Sequence, residues 1–231
     1  MKNIHEINSA LLESLKNKGF AILDKVLNED ECKNIIRMYG DTTLFRKTIV
    51  MERYRFGLGE YKYFTYPLPN IIQQLREHLY NLLYPVANSW FKSLNINFQF
   101  PETHQAFIKI CNASDQTLAT PLILKYGTGG HNTLHQDLYG DIYFPLQAVV
   151  FLNNPGEDYT GGEFVMTEQI PRAQSKAIVL QPEQGDVLIF TTQFRPQKGA
   201  KDYYRVNMKH GVSEVHSGDR HTLGIIFHDA K

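Results

Sequence analysis

The apolar positions near the start, Ile4, Ile7, Leu11, Leu12 and Leu15, fall at helical spacing, and Gly19 stands where such a helix ends. "FAILD" then reads as a short strand. "NEDECKNIIRMYG" reads as a second helix, with Asn28 placed to cap it, acidic residues in its first turn and Gly40 beyond its end. The segment "FRKTIVMERYRFGLGEYKYFTYPLPN" mixes aromatic and basic residues around Gly57 and Gly59, and predicts a hairpin or ordered loop. Asn70 is expected to cap a long helix whose apolar stripe runs through Ile71, Leu75, Leu79, Leu82, Leu83, Val86 and Trp90, with Pro85 kinking it or starting its second half.

From about residue 104 the period changes. "QAFIKI", "PLILKY", "LQAVVFL", "EFVMTE", "KAIVL", "DVLIF", "YYRVNMKHGVSEV" and "RHTLGIIFH" read as short strands, separated by turn-rich clusters such as "NNPGEDYTGG", "QPEQGD" and "HSGDR". A run of strands with no helix among them points to an antiparallel sandwich or jelly roll. The expectation is a single domain over 1–231, mainly β with N-terminal helices: residues 1–100 as helical support and lid, and 101–231 as a jelly-roll core.

Composition narrows the function. Basic and acidic residues balance at 24 each, so no bulk attraction to nucleic acid or membrane is expected, although a local basic patch remains open. Two cysteines without a framework pattern read as reduced thiols and a cytoplasmic home. The polar N-terminus does not read as a signal peptide, and no apolar run approaches the ~20 residues that span a bilayer. The 13 Tyr and 14 Phe suit a β-rich fold around a lined cavity.

The chemistry concentrates in "LHQD". His135 and Asp137, two positions apart, share a face if they lie on one strand. Two imidazoles and one carboxylate on one face of an octahedron form the facial triad of non-haem Fe(II) oxygenases, with positions left open for a 2-oxo acid and O₂. His210, His216, His221 and His228 compete for the third place. His210 is favoured because Arg220 opens what reads as the adjacent strand, and a buried guanidinium pairs bidentately with a carboxylate. His216 falls in the expected turn, and His221 points opposite to Arg220.

The ordered set Tyr126, His135, Asp137, Gly161-Gly162-Glu163, His210 and Arg220, with "QGDVLIF" before the distal histidine, resembles the Fe(II)/2-oxoglutarate-dependent dioxygenase superfamily. "LHQDLYGD", "FPLQ", "GEDYTGGEFVMTEQ", "RVNMKHGVS" and "RHTLGIIFHDA" are similar to a bacterial family related to AlkB, the oxidative DNA-dealkylation enzyme, and Tyr126 keeps the AlkB spacing to the L-H-Q-D. Leu124 and Ile226 stand where AlkB has an Asn and a second Arg.

The resemblance implies a double-stranded β-helix of cupin type. It implies Fe(II) on His135, Asp137 and His210, 2-oxoglutarate held by Arg220 with help from Tyr126, and O₂ as oxidant. Decarboxylation of the co-substrate would be coupled to hydroxylation of a C–H bond. Oxidative demethylation of alkylated, single-stranded nucleic acid is the reaction this kinship favours. Arg53, Arg55 and Tyr61, interleaved with other aromatics, and His131 are the candidate substrate residues, set against a hairpin that merely covers the barrel mouth with solvated charges. A prolyl-hydroxylase-like oxygenase acting on a protein side chain or small molecule is the alternative, and a non-catalytic cupin-like binding protein a second. His104, His221 and His228 read as structural or solvent-facing, and Glu163 as shaping its turn.

Overall fold

The computed structural model describes residues 9–231, so Ile4 and Ile7 lie outside the described residues. Helix α1 (Ser9–Lys18) buries Leu11 and Leu15, while Leu12 faces solvent. It stops at Gly19, whose φ of +77° and close approach to Met208 and Arg195 leave no room for a Cβ. Strand β1 (Phe20–Leu23) follows. Helix α2 (Glu29–Met38) opens on a capping box: the Asn28 side chain accepts from the Glu31 amide, and the Glu31 carboxylate accepts from the Asn28 amide.

The aromatic-basic segment forms β2 (Phe45–Val50), a 3₁₀ turn at Met51–Tyr54, β3 (Gly57–Leu58) and β4 (Glu60–Phe64). Helix α3 (Asn70–Ser93) runs through Pro85 as one element. Its N-cap is Pro69 rather than Asn70, with no side-chain cap, and Ile72 rather than Ile71 is buried.

"QAFIKI" is not a strand. It lies in helix α4 (His104–Asn112), whose Thr103 cap accepts from the Ala106 amide. Burial at His104, Phe107 and Cys111 follows a helical stripe, and so short an apolar run cannot be told from a strand by its hydrophobicity alone.

The remaining strands are β5 (Leu122–Tyr126), β6 (His131–His135), β7 (Leu146–Phe151), β8 (Tyr159–Gly161), β9 (Phe164–Gln169), β10 (Lys176–Leu180), β11 (Val187–Thr191), β12 (Phe194–Lys198), β13 (Tyr203–Val212), β14 (Val215–Gly218) and β15 (Arg220–Ile225). They build a double-stranded β-helix. One sheet has the order β1-β11-β7-β15-β5-β4-β2; the other runs β10-β9-β13-β6-β3, with β12 also on β13. Their pairings are antiparallel. "HSGD" is not a plain turn, because β14 pairs with β8 there. The N-terminal third is not only helical support either: β1, β2 and β4 extend the seven-stranded sheet, and β3 joins the other.

Alternation along β7 and β11 divides the core. Leu146, Ala148, Val150, Val187 and Ile189 face the helices, together with Leu15, Leu75 and Leu79. Val149, Phe151, Leu188 and Phe190 face the second sheet and meet Phe164, Met166 and Met208. The cavity opens between the two sheets.

Candidate active site

His135 ends β6 and lies in register with His210 on β13, their ring centroids 4.3 Å apart. Asp137 lies beyond the end of the strand, so a shared strand face is not what brings it in. The intervening Gln136 turns away and donates to the carbonyls of Gln193 and Met208, and this anchors the segment. Asp137 Oδ2 is 3.1 Å from His210 Nε2, and Oδ1 is 3.5 Å from His135 Nε2. One ligand atom from each of the three residues lies within 4.8 Å of the others.

Each donor is prepared for a cation. His135 Nδ1 sits 2.7 Å from the Thr133 carbonyl, which places the ring proton there and leaves the Nε2 lone pair free. His210 stacks on Phe164 and meets Phe190 edge-on, and burial, reinforced by His135 and opposed by Asp137, lowers its pKa. Burial alone would raise the Asp137 carboxyl. The hydrogen bond and charge of His210, with His135 and the Tyr139 hydroxyl, instead hold it well below the usual carboxylate range. Tyr139 donates to Asp137 Oδ1 at 2.8 Å. Sequence reasoning missed this residue, although it continues the alternation of His135 and Asp137.

Arg220 is almost fully buried, and none of its guanidinium nitrogens has a hydrogen-bond partner. The rings of Tyr126, Phe151 and Tyr159 surround it at 5.4 to 5.9 Å. Tyr126 is its cross-strand partner on β5, and burial, partly offset by Arg220, pushes the phenol up to about 12. Gly162 has φ +62°, and a Cβ there would meet the Arg220 stem at 2.9 Å, so the Gly-Gly turn makes room for this cation. His210 and Arg220 are not on adjacent strands: β13 and β15 belong to opposite sheets and face each other across the cavity.

The cavity holds about 240 Å³ and is lined by the three clustered residues, Arg220, Tyr126 and Tyr61 among others. Arg53 and Arg55 are exposed and do not line it, whereas Phe56, next in the chain after Arg55, does. The Phe56 carbonyl accepts from the amide and hydroxyl of Thr133, and β3 pairs with β6 while β4 pairs with β5. Segment 45–66 therefore straddles both sheets at the mouth. His131 begins β6 and faces the Gly129 carbonyl, outside the cavity lining.

The remaining histidines are held elsewhere. His216 is exposed on β14, and His221 is fixed by Asn153. His104 and His228 are buried rather than solvent-facing, against the Phe227 carbonyl and the Phe144 amide. Glu163 binds the Ser213 hydroxyl beside its turn.

A jelly roll whose sheets enclose a two-histidine, one-carboxylate cluster, with a guanidinium behind it, is an arrangement that suits an oxygenase. The chain belongs to the Oxygenase-NA family, described as an "oxygenase, catalysing oxidative methylation of damaged DNA", which it matches over residues 59–230. It is 44% identical over 167 residues to each of two uncharacterized Mycobacterium tuberculosis proteins, MT2286 and Rv2227, covering 72% of this chain and 72% of theirs.

Its fold is similar to that of a Pseudomonas putida prolyl-4-hydroxylase, with TM-score 0.52 and 14% identity over 96% of this chain and 98% of that one. It is also similar to a Trichoplax adhaerens prolyl hydroxylase crystallised with a hypoxia-inducible-factor peptide fragment, with TM-score 0.54 and 14% identity over 95% and 87%. The cofactor set expected from the sequence is Fe(II) and 2-oxoglutarate, with O₂ as oxidant. The donor set fits Fe(II), and the orphaned Arg220 fits a carboxylate.

Proposed function

We propose that the protein removes methyl groups oxidatively from alkylated bases in single-stranded DNA, in the manner of the AlkB-related enzymes. An oxygenase adds oxygen to a C–H bond and carries no methyl donor, so we read its part in methyl-damage chemistry as removal. Hydroxylation of an N-methyl carbon leaves an N-hydroxymethyl group, which departs as formaldehyde and restores the base. The family match carries this reading.

In this reading His135, Asp137 and His210 hold the iron, and Arg220 with Tyr126 holds the distal carboxylate of 2-oxoglutarate. The bound metal and co-substrate supply the oxidising power. The chain orients them, and apolar walls such as Val149, Phe164 and Phe190 keep water from the reacting carbon. At the mouth, Tyr54 and Phe56 are both exposed and stack with centroids 5.5 Å apart. Arg53 and Arg55 flank Tyr54 in sequence. An aromatic pair beside cations suits a strand whose bases stack while its phosphates are neutralised. His131 has no such argument from its position.

The test is formaldehyde release from methylated single-stranded DNA with Fe(II), 2-oxoglutarate and O₂. Joint replacement of Arg53 and Arg55 by Ala should lower it and flatten its salt dependence. Turnover on a proline-containing peptide with none on DNA would transfer the reading to protein hydroxylation. No co-substrate decarboxylation under any condition would leave a cupin-like binding protein.

A further inference from the structure

Gln147 lies at the centre of β7 and is 3% exposed, and its side-chain Nε2 has no acceptor. Besides Arg220 and His210, it is the cavity-lining residue with a side-chain nitrogen sealed from water and left unpartnered among the described residues. Buried donors are nearly always paired, so an orphan facing a cavity marks a place where a ligand completes the bonding.

Its position says which ligand atom. On β15 the cavity-facing positions are Arg220, Thr222, Gly224 and Ile226. The register pairs Gly224 with Val149, which brings Gln147 level with Ile226. On its other side Gln147 is in register with Phe190, whose ring meets His210 at 4.7 Å. The floor thus runs from the Arg220 guanidinium at one end to the Gln147 carboxamide at the other, with Thr222 between them and Gly224 adding no side chain.

Resting on the oxygenase reading above, we propose that Gln147 Nε2 donates a hydrogen bond to the free oxygen of the metal-bound carboxylate of 2-oxoglutarate. That carboxylate gives one oxygen to the metal and needs a donor for the other. Leu122, Leu124 and Ile226 beside it are apolar, the Tyr139 hydroxyl is already donated to Asp137 and the Asn132 amide to Tyr126, and Thr222 lies toward the Arg220 end. A neutral donor also suits the electrostatics. Imidazole ligands bring no charge to a metal, so the charges of a divalent metal, Asp137, a dianionic co-substrate and Arg220 cancel. A second cation would leave a net buried charge, whereas an amide satisfies the oxygen without one. Gln147 is a positioning residue for the co-substrate, at the end opposite Arg220.

The experiment is anaerobic calorimetric titration of 2-oxoglutarate into the full chain loaded with Mn(II), for wild type, Gln147→Leu and Gln147→Glu. Leucine fills the space without a donor. It should weaken 2-oxoglutarate about tenfold to a hundredfold, as expected for losing a hydrogen bond to a charged oxygen. Glutamate turns the donor into a repelling carboxylate and should weaken it further. The apo Gln147→Leu protein should melt no lower than wild type, because it loses an unpaired buried amide, and this separates a binding defect from misfolding.

Wild-type affinity for 2-oxoglutarate in Gln147→Leu would overturn the proposal, as would an equal loss of affinity for Mn(II) alone. If wild type itself bound Mn(II) but not 2-oxoglutarate, the oxygenase reading would fall first, and visibly so.

Discussion

His135 and His210 face each other in register across β6 and β13, and the carboxylate of Asp137 reaches toward both from outside the strand. Antiparallel pairing sets the two imidazoles side by side, and the Gln136 and Tyr139 hydrogen bonds hold Asp137 beside them. Replacing any one of the three with Ala should lower Mn(II) affinity more than about 100-fold, exceeding the 10–100-fold typical of losing an outer partner. Calorimetry checks this. His216→Ala should bind metal as wild type does, and the opposite pattern would overturn the ligand assignment.

Tyr139 fixes the Asp137 carboxylate from outside the three-residue cluster. Its hydroxyl donates to Asp137 Oδ1, and its ring stands edge-on to Tyr63 and beside His228. Tyr139→Phe keeps the ring and removes the hydroxyl. It should cost about 10–100-fold in metal affinity or turnover, with little change in melting temperature. A large loss of stability with normal metal affinity would make the residue merely a packing element.

Arg220 is buried among ring faces and pairs with no acidic side chain among the described residues. Arg220→Leu should therefore raise the melting temperature of the apo protein while sharply raising the 2-oxoglutarate requirement. Arg220→Lys keeps the charge without the planar fork and should fall between the two. Thermal melts with and without 2-oxoglutarate decide it: wild type gains stability from the ligand, and the Leu variant should not.

Much of this was legible in the residues. His135, Asp137, His210 and Arg220 lie close to strand ends that alternation and turn residues announce, and the Asn28–Glu31 capping box is written out in order. Three things were not legible. The helical stripe of α4 is too short to separate from a strand. The place of Arg220 on the opposite sheet from His210 depends on the long-range pairing of β14 with β8, which no local pattern encodes. Gln147 and Tyr139 carry no motif, and only the register and the cavity reveal what they face.

His104 and His228 are both held neutral, chiefly by burial and then by the charge of Arg76, with pKa values pushed down to about 3. Arg76 is itself fully buried, bonded to Asp229, Tyr66 and the Ile226 and His228 carbonyls, so it cannot move away to relieve them. In the unfolded chain a histidine titrates near ~6.5. As pH falls below that value the unfolded state takes up protons that the folded state refuses, so stability is full above ~6.5 and declines on the way down to about 3. Each of the two histidines should contribute a slope of up to about 1.4 kcal/mol per pH unit. Between pH ~6.5 and ~5 most carboxylates are still ionised, so the histidines dominate. Urea unfolding across that window should show the decline, and His104→Gln, which puts an amide N–H near the Nε2 position for the Phe227 carbonyl without titrating there, should reduce the slope. A stability flat from pH ~6.5 to ~5, or a slope unchanged in the variant, would show that burial does not hold these rings neutral.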